Sequence, residues 1–131
     1  MILDTSAVVA VIREERGEAR LVEAIEEAAT VGIGTPTLIE ASIVLVRRMG
    51  VVGRLALARF LEENDVVTIP FDEDHWIVAA EVDIRYGKGR HPAALNYGDC
   101  MTYATAYVAD NPLLFTGNDF AQTDIPAALS G

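Results

Sequence analysis

The chain has 131 residues, 51% of them hydrophobic, one cysteine and a formal net charge of −10. This length fits one domain, residues 1–131, able to bury roughly two-thirds of its unfolded surface, and no apolar run approaches the roughly 18–20 residues of a membrane span. A single cysteine, Cys100, excludes an internal disulfide and any multi-cysteine metal site, while the acid excess, taken as a sum, argues against a nucleic-acid partner.

The start has neither the basic stretch nor the cleavage site of a secretory signal, so a cytoplasmic location is expected. Residues 1–3 are apolar and Asp4-Thr5-Ser6 follow at once, ahead of an apolar run over 7–12. A chain end is by default frayed and solvated. Three apolar residues here predict instead a strand buried on both faces, in the middle of a parallel sheet, then a sharp turn and a helix. Open α/β sheets bind ligands at the carboxyl ends of such strands. Asp4 is thereby expected at the floor of a crevice, with the hydroxyls of Thr5 and Ser6 beside it.

Gly17 breaks the first helix, and residues 18–29 set Leu21, Val22, Ile25 and Ala28 at helical spacing with glutamates outward. Residues 31–34 predict a second strand. Thr35-Pro36 reads as an N-cap and first helical residue of a helix passing through Glu40 to about Met49. Gly50 and Gly53 punctuate, and 54–63 is a further amphipathic helix with Leu55, Phe60 and Leu61 inward. A third strand over 66–69 closes at Pro70. The acids of 72–74 open a helix where the macrodipole favours them; it carries Trp76, Ile77, Ala80 and Ile84, and His75 falls at a solvated position near its start. An irregular loop covers 88–97, a helix 98–110, a fourth strand 113–115, a turn 116–120, and a short fifth strand is expected over 123–126. The alternation predicts an α/β fold, a mostly parallel four- to five-stranded sheet with right-handed crossovers, flanked by helices.

Four acids fall at the same end of their elements: Asp4 after strand one, Glu40 early in the helix after strand two, Asp99 opening the helix before strand four, and Asp119 after strand four. Each has a structural alternative. Asp4 and Asp99 suit N-caps, Glu40 ends a capping-box pattern, and Asp119 suits a turn. Four such coincidences on one edge favour a shared site. Two carboxylates about 4 Å apart repel by ~4 kcal/mol at an effective dielectric of about 20, so four call for a counter-cation. Oxygen-only donors select Mg²⁺ or Mn²⁺ over Zn²⁺, and such ions support in-line phosphoryl displacement by activated water. No Gly-rich phosphate loop or Gly-x-Ser-x-Gly elbow competes, and Cys100 reads as a packed helix residue.

The basic residues are segregated. Residues 41–61 contain no Asp or Glu but hold Arg47, Arg48, Arg54 and Arg59, and residues 84–98 likewise hold Arg85, Lys88, Arg90 and His91. A positive rim on an acidic protein is therefore permitted. Arg85, Lys88 and Arg90 could complement a helix dipole or contact phosphate beside the acids. His91, before Pro92, reads as a loop residue.

The motifs Met-Ile-Leu-Asp-Thr-Ser at the start, Thr-Pro-Thr-Leu-Ile-Glu ending at Glu40, Leu-Asn-Tyr-Gly-Asp-Cys ending at Cys100 and Phe-Thr-Gly-Asn-Asp-Phe ending at Phe120 come in order along the chain. With residues 87–92 and 123–125 they make the chain resemble the PIN-domain ribonucleases, specifically VapC-type toxins of toxin–antitoxin pairs. The resemblance implies a PIN-like three-layer sandwich. It implies that Asp4, Glu40, Asp99 and Asp119 hold Mg²⁺ or Mn²⁺, with Asp4 and Asp99 as the closest ligands and Asp124 as an outer acid. Ser6 and Thr116 match hydroxyl residues that orient the acids or a bound water. It further implies cleavage of RNA to 5′-phosphate and 3′-hydroxyl ends, inhibition by a VapB-type antitoxin, and a homodimer. Two other functions remain: a non-catalytic PIN-fold binding or scaffold module, and an α/β phosphatase phosphorylated on Asp4. The phosphatase pattern asks for an acid two residues after the nucleophile, where this chain has Ser6.

Overall fold

Successive side chains of a strand point to opposite faces of its sheet, and in this chain that alternation sorts a few apolar residues into two cores. In the computed structural model, which describes residues 1–129, the strands are β1 (Ile2–Leu3), β2 (Gly32–Gly34), β3 (Val67–Ile69) and β4 (Leu113–Leu114). They lie parallel in the order β3–β2–β1–β4. Six helices flank them: α1 (Thr5–Ile12), α2 (Glu18–Glu27), α3 (Thr35–Met49), α4 (Val51–Glu63), α5 (Glu73–Tyr86) and α6 (Tyr97–Ala109). Leu3, Ile33 and Leu114 point into a core shared with Val8, Ile25, Leu45 and Phe60 of α1 to α4. Ile2 and Leu113 point the other way, to Val82 of α5 and to Cys100, Tyr103 and Ala106 of α6. The result is three layers, helix–sheet–helix. Among the described residues no helix is long and apolar enough to cross a membrane.

Glycine sets how closely α6 can approach. A side chain at Gly34 of β2 would meet the Thr105 hydroxyl of α6 at 2.6 Å, so a bare backbone there lets the helix lie against the sheet. The chain lays down β1, then β2 and β3 to one side, and returns through α5 and α6 to add β4 on the other side of β1. The order reverses between β1 and β4, where α/β sheets open a ligand crevice at the strands' carboxyl ends. The Asp4 amide donates to the Leu114 carbonyl across this point at 3.0 Å.

Several local expectations are corrected. The fifth strand is reduced to one parallel bridge between Leu113 and Ala127, because residues 120–122 form a 3-10 turn and bends follow. The cap of α3 is Gly34, and Thr35 is already helical. Gly53 does not interrupt a helix: α4 begins at Val51 and buries Gly53 against α3. The face of α4 is rotated accordingly, with Leu57 and Phe60 buried and Leu55 64% exposed. On α5, Trp76, Ile77 and Ile84 are exposed and Val82 faces the core. His75, expected in solvent, is buried: its Nδ1 bonds Asp72 in a capping box and its ring packs on Phe71.

Gly53 yields a test. A Cβ there would collide with the Leu45 carbonyl of α3, a backbone atom that can retreat only if the helices part. Gly53→Ala gains about 1 kcal/mol in helix propensity against an overpacking cost of about 1–3 kcal/mol. A Tm lower by several degrees is expected in a thermal melt. An unchanged or raised Tm would mean that α3 and α4 separate freely.

Candidate active site

Asp4 leaves β1 and becomes the N-cap of α1, its Oδ2 accepting from the Ser6 amide at 3.1 Å. The Ser6 hydroxyl donates to the same oxygen at 2.6 Å and accepts from the Thr116 amide at 3.0 Å. Ser6 thus ties the acid to the loop after β4, and Thr116 contributes its backbone amide to that link. Thr102 of α6 also favours the charged form of Asp4, and its hydroxyl is 2.9 Å from that of Thr37 on α3. Asp4 is only 6% exposed, and burial, aided by the nearby Glu40 charge, pushes its carboxyl above the ordinary range despite these donors.

Glu40 projects from the second turn of α3, and its Oε1 accepts from the Thr5 hydroxyl at 2.5 Å. A side chain at Gly98 would meet Glu40 Oε2 at 2.7 Å. That glycine leaves room for the Glu40 carboxylate against the first turn of α6, beside Asp99. Asp99 is the third residue of α6, and Asn96 is the cap. The Asn96 side chain accepts from the Asp99 amide at 2.9 Å, and Asp99 Oδ2 accepts from the Asn96 amide at 3.0 Å. Because α6 runs down to feed β4, its first turn sits at the sheet's carboxyl edge.

Asp119 lies exposed in the loop after β4. Its effect on the site is electrostatic. The Asp99 carboxyl is pushed up to about 6, mainly by burial, with the charges of Asp4, Asp119 and Glu40 adding to it. Asp4, Glu40 and Asp99 thus stand at one edge of the sheet, and Asp119 acts on Asp99 through its charge alone. Among the described residues no three His, Cys, Asp or Glu side chains stand close enough together to hold a metal ion. Each of three carboxylates has turned to a donor of its own: Asp4 to Ser6, Glu40 to Thr5, Asp99 to Asn96. The donors are all hard carboxylate oxygens, a set that suits Mg²⁺ or Mn²⁺.

The other candidates sort differently. Asp124 is taken up by the Tyr103 hydroxyl and by Arg85, whose Nη2 is 3.0 Å from Oδ2. These partners hold the Asp124 carboxyl below its usual range, Tyr103 first. Arg85 also lies 4.8 Å over the Tyr86 ring. Arg90 is a loose partner of Asp83 at 3.9 Å, and Lys88 is exposed. His91 accepts from the Ala93 amide within its own loop. Burial pushes the Cys100 thiol up to about 11, the opposite of an activated nucleophile. Sequence reading did not single out Thr102, Asn96 or Gly98. A threonine within an apolar helix, an asparagine before it and a glycine next to an acid are weak signals without the fold.

Ser6→Ala removes the link between Asp4 and the β4 loop while leaving the acid in place. Any activity of this site is expected to fall on the order of tenfold, as for loss of a group that orients a ligand, with the variant still folded by circular dichroism. Unaltered activity would show that Ser6 orients nothing.

The PIN-domain family matches residues 1–126. The chain is 48% identical over 126 residues to ribonuclease VapC36 of Mycobacterium tuberculosis, spanning 95% of this chain and 91% of that one. Among solved structures it is similar to Mycobacterium tuberculosis VapC20, described as a sarcin-ricin loop cleaving toxin, with a TM-score of 0.77 at 17% identity over 95% of both chains. It is also similar to VapBC2 of Rickettsia felis, solved bound to a DNA fragment from its promoter, with a TM-score of 0.76 at 15% identity over 96% of this chain and 94% of that one. The two structures speak for the fold, and the 48% relative with the family match speaks for descent: this chain belongs to the PIN-domain family, among its VapC ribonucleases.

Proposed function

We propose that the chain is a cytoplasmic endoribonuclease toxin that hydrolyses RNA phosphodiester bonds with Mg²⁺ or Mn²⁺ held by Asp4, Glu40, Asp99 and Asp119. The observation that carries this reading is the placement of Asp4, Glu40 and Asp99, from three separate segments, at one edge of the sheet, with burial first and then the charges of Asp4, Asp119 and Glu40 raising the Asp99 carboxyl to about 6. Bound divalent ions supply water activated at neutral pH and positive charge against the phosphoryl oxygens. The chain's own part is to aim the donors: Ser6 and Thr102 fix Asp4, Thr5 restrains Glu40, and the Asn96 cap sets Asp99. Asp124, engaged by Tyr103 and Arg85, shapes the wall beside α6 in this reading, and Lys88 and Arg90 are the cations left to meet RNA phosphate.

A VapB-type antitoxin partner is supported by the kinship with toxins solved in such complexes. Ile39 and Ile43 of α3 and Val51, Val52 and Leu55 of α4 expose apolar side chains, more than isolated surface residues need.

The test is cleavage of a structured RNA by the purified chain with Mn²⁺, with Mg²⁺ and with chelator, mapping product ends. Cuts that need the metal and leave 5′-phosphates are expected; cutting that persists in chelator would sink the metal-dependent reading. A second readout is independent of RNA. Mn²⁺ should raise the Tm of the wild type by RT ln(1 + [L]/Kd), and raise that of Asp99→Asn less. Equal shifts would mean that the ion binds elsewhere.

A further inference from the structure

Between α5 and α6 lies a pocket of about 380 Å³ walled by Phe71, Trp76, Asp83, Tyr97, Cys100 and Met101. The acid site does not use it. Trp76 is 56% and Tyr97 78% exposed, unusual for large aromatic rings beside an apolar pocket. Tyr97 is two residues before Asp99 in the first turn of α6, and at 100° per residue the two emerge on roughly opposite sides of the helix. The pocket and the acids therefore flank the N-terminus of one helix, about a helix width, ~10 Å, apart. That terminus, on a helix of 13 residues, carries the Asp99 carboxylate in its first turn, so a strand crossing it runs directly past the acids.

The pocket also has a polar edge. Asp83 lines it, with Arg90 3.9 Å from the Asp83 carboxylate and Lys88 exposed on the adjoining loop. Aromatic faces, one carboxylate acceptor and cations outside match a nucleobase: a flat ring to stack, an exocyclic amine to donate, and a phosphate on either side. The outward apolar residues of α5, Ile77 and Ile84, lie about 80–100° round the helix from Trp76, so a protein seated on them does not need this pocket.

We propose that Trp76 and Tyr97 form a stacking subsite for a base that flanks the scissile bond of single-stranded RNA, with Asp83 accepting from the exocyclic amine of adenine, cytosine or guanine. This rests on the ribonuclease reading above and names its substrate: an unpaired strand crossing the N-terminus of α6, with an amine-bearing base beside the cut.

Trp76 is the chain's single tryptophan and reports directly. Short unstructured RNA should quench its emission in the full chain, with oligo-A and oligo-C more effective than oligo-U. In Mn²⁺, Trp76→Ala and Tyr97→Ala should each raise KM roughly tenfold, within the range of base–aromatic stacking, with kcat within about twofold. Trp76→Phe and Tyr97→Phe should restore KM. One abasic position in the RNA should cost the wild type as much as Tyr97→Ala does, and cost that variant nothing more. Normal cleavage with KM unmoved in both alanine variants would overturn the subsite and leave the ribonuclease reading standing. Trp76 emission that ignores RNA and shifts with protein concentration would also overturn it, assigning the pocket to a second copy of the chain. If no RNA is cut, the ribonuclease reading fails, and the quench still decides: quenching keeps a base-binding site without catalysis, and its absence removes both.

Discussion

Asp4→Asn is expected to lower metal-dependent RNA cleavage by ~10³-fold, the upper range for loss of one group that stabilises charge in a transition state, while its Tm at neutral pH stays at or above that of the wild type. The two halves come from one observation. Asp4 is a buried carboxyl pushed upward by burial and by Glu40, so its charged form costs the folded state something at pH 7. Asparagine keeps the shape, keeps an oxygen to accept from the Ser6 amide and hydroxyl, and sheds the charge. Natural active sites commonly retain groups of this kind at the expense of stability. Cleavage assays with a melting curve on the same preparation separate the cases. If activity and Tm fall together, Asp4 is chiefly the cap of α1. If activity survives, the catalytic assignment is lost.

Capping and chemistry are not alternatives here. Asp4 caps α1 as expected, and Asp99 closes the α6 capping box from its third position while Asn96 is the cap; Glu40 caps nothing, since the cap of α3 is Gly34. Both capping acids also sit at the shared edge. A capping acid is pinned at a helix N-terminus, and in a parallel sheet the helices that follow strands start at the carboxyl edge. The fold thus turns an ordinary cap into a site acid when several such termini converge. Glu40 reaches the edge otherwise, from the second turn of α3, through the gap left by Gly98.

That convergence was legible because an acid directly after an apolar strand fixes which end of the strand it occupies, whatever the packing. The strand order itself was not legible; it follows from α5 and α6 carrying the chain back across β1. Packing of single helices was read less well. Gly53 looked like a break because a glycine that ends a helix and one that lets two helices touch are the same letter, and only the Leu45 carbonyl opposite distinguishes them. On α4 the apolar residues fall on more than one side, and only the packing against α3 settles that Leu57 and Phe60 face inward while Leu55 faces out. His75 misled for a related reason: its burial depends on Phe71 and Asp72 folding over it. The pairing of Arg85 with Asp124, 39 residues away, leaves no trace in local pattern.

Asp99→Asn is expected to reduce cleavage on the order of 10³-fold as well, and to change how stability depends on pH. The Asp99 carboxyl titrates at about 6 in the folded chain, against an ordinary value of 3.8. Below pH 4 the group is protonated folded and unfolded, and it costs nothing. Between pH 4 and 6 the folded chain holds a proton that the unfolded chain has released, so stability falls as pH rises through this window. Above pH 6 the full cost remains. Asparagine removes that cost and still offers an oxygen to the Asn96 amide, so the cap survives. The group is partly open to solvent, which screens the effect to about 1 kcal/mol, or a few degrees in Tm for a chain of this size. Melting curves in chelator at pH 4, 5, 6 and 7.5 should show the variant level with the wild type at the acid end and above it at neutral pH. Glu40→Gln removes one of the charges acting on Asp99 and should narrow that gap. A gap constant with pH would mean that Asp99 titrates as an isolated surface acid, and the four carboxylates would no longer count as one site.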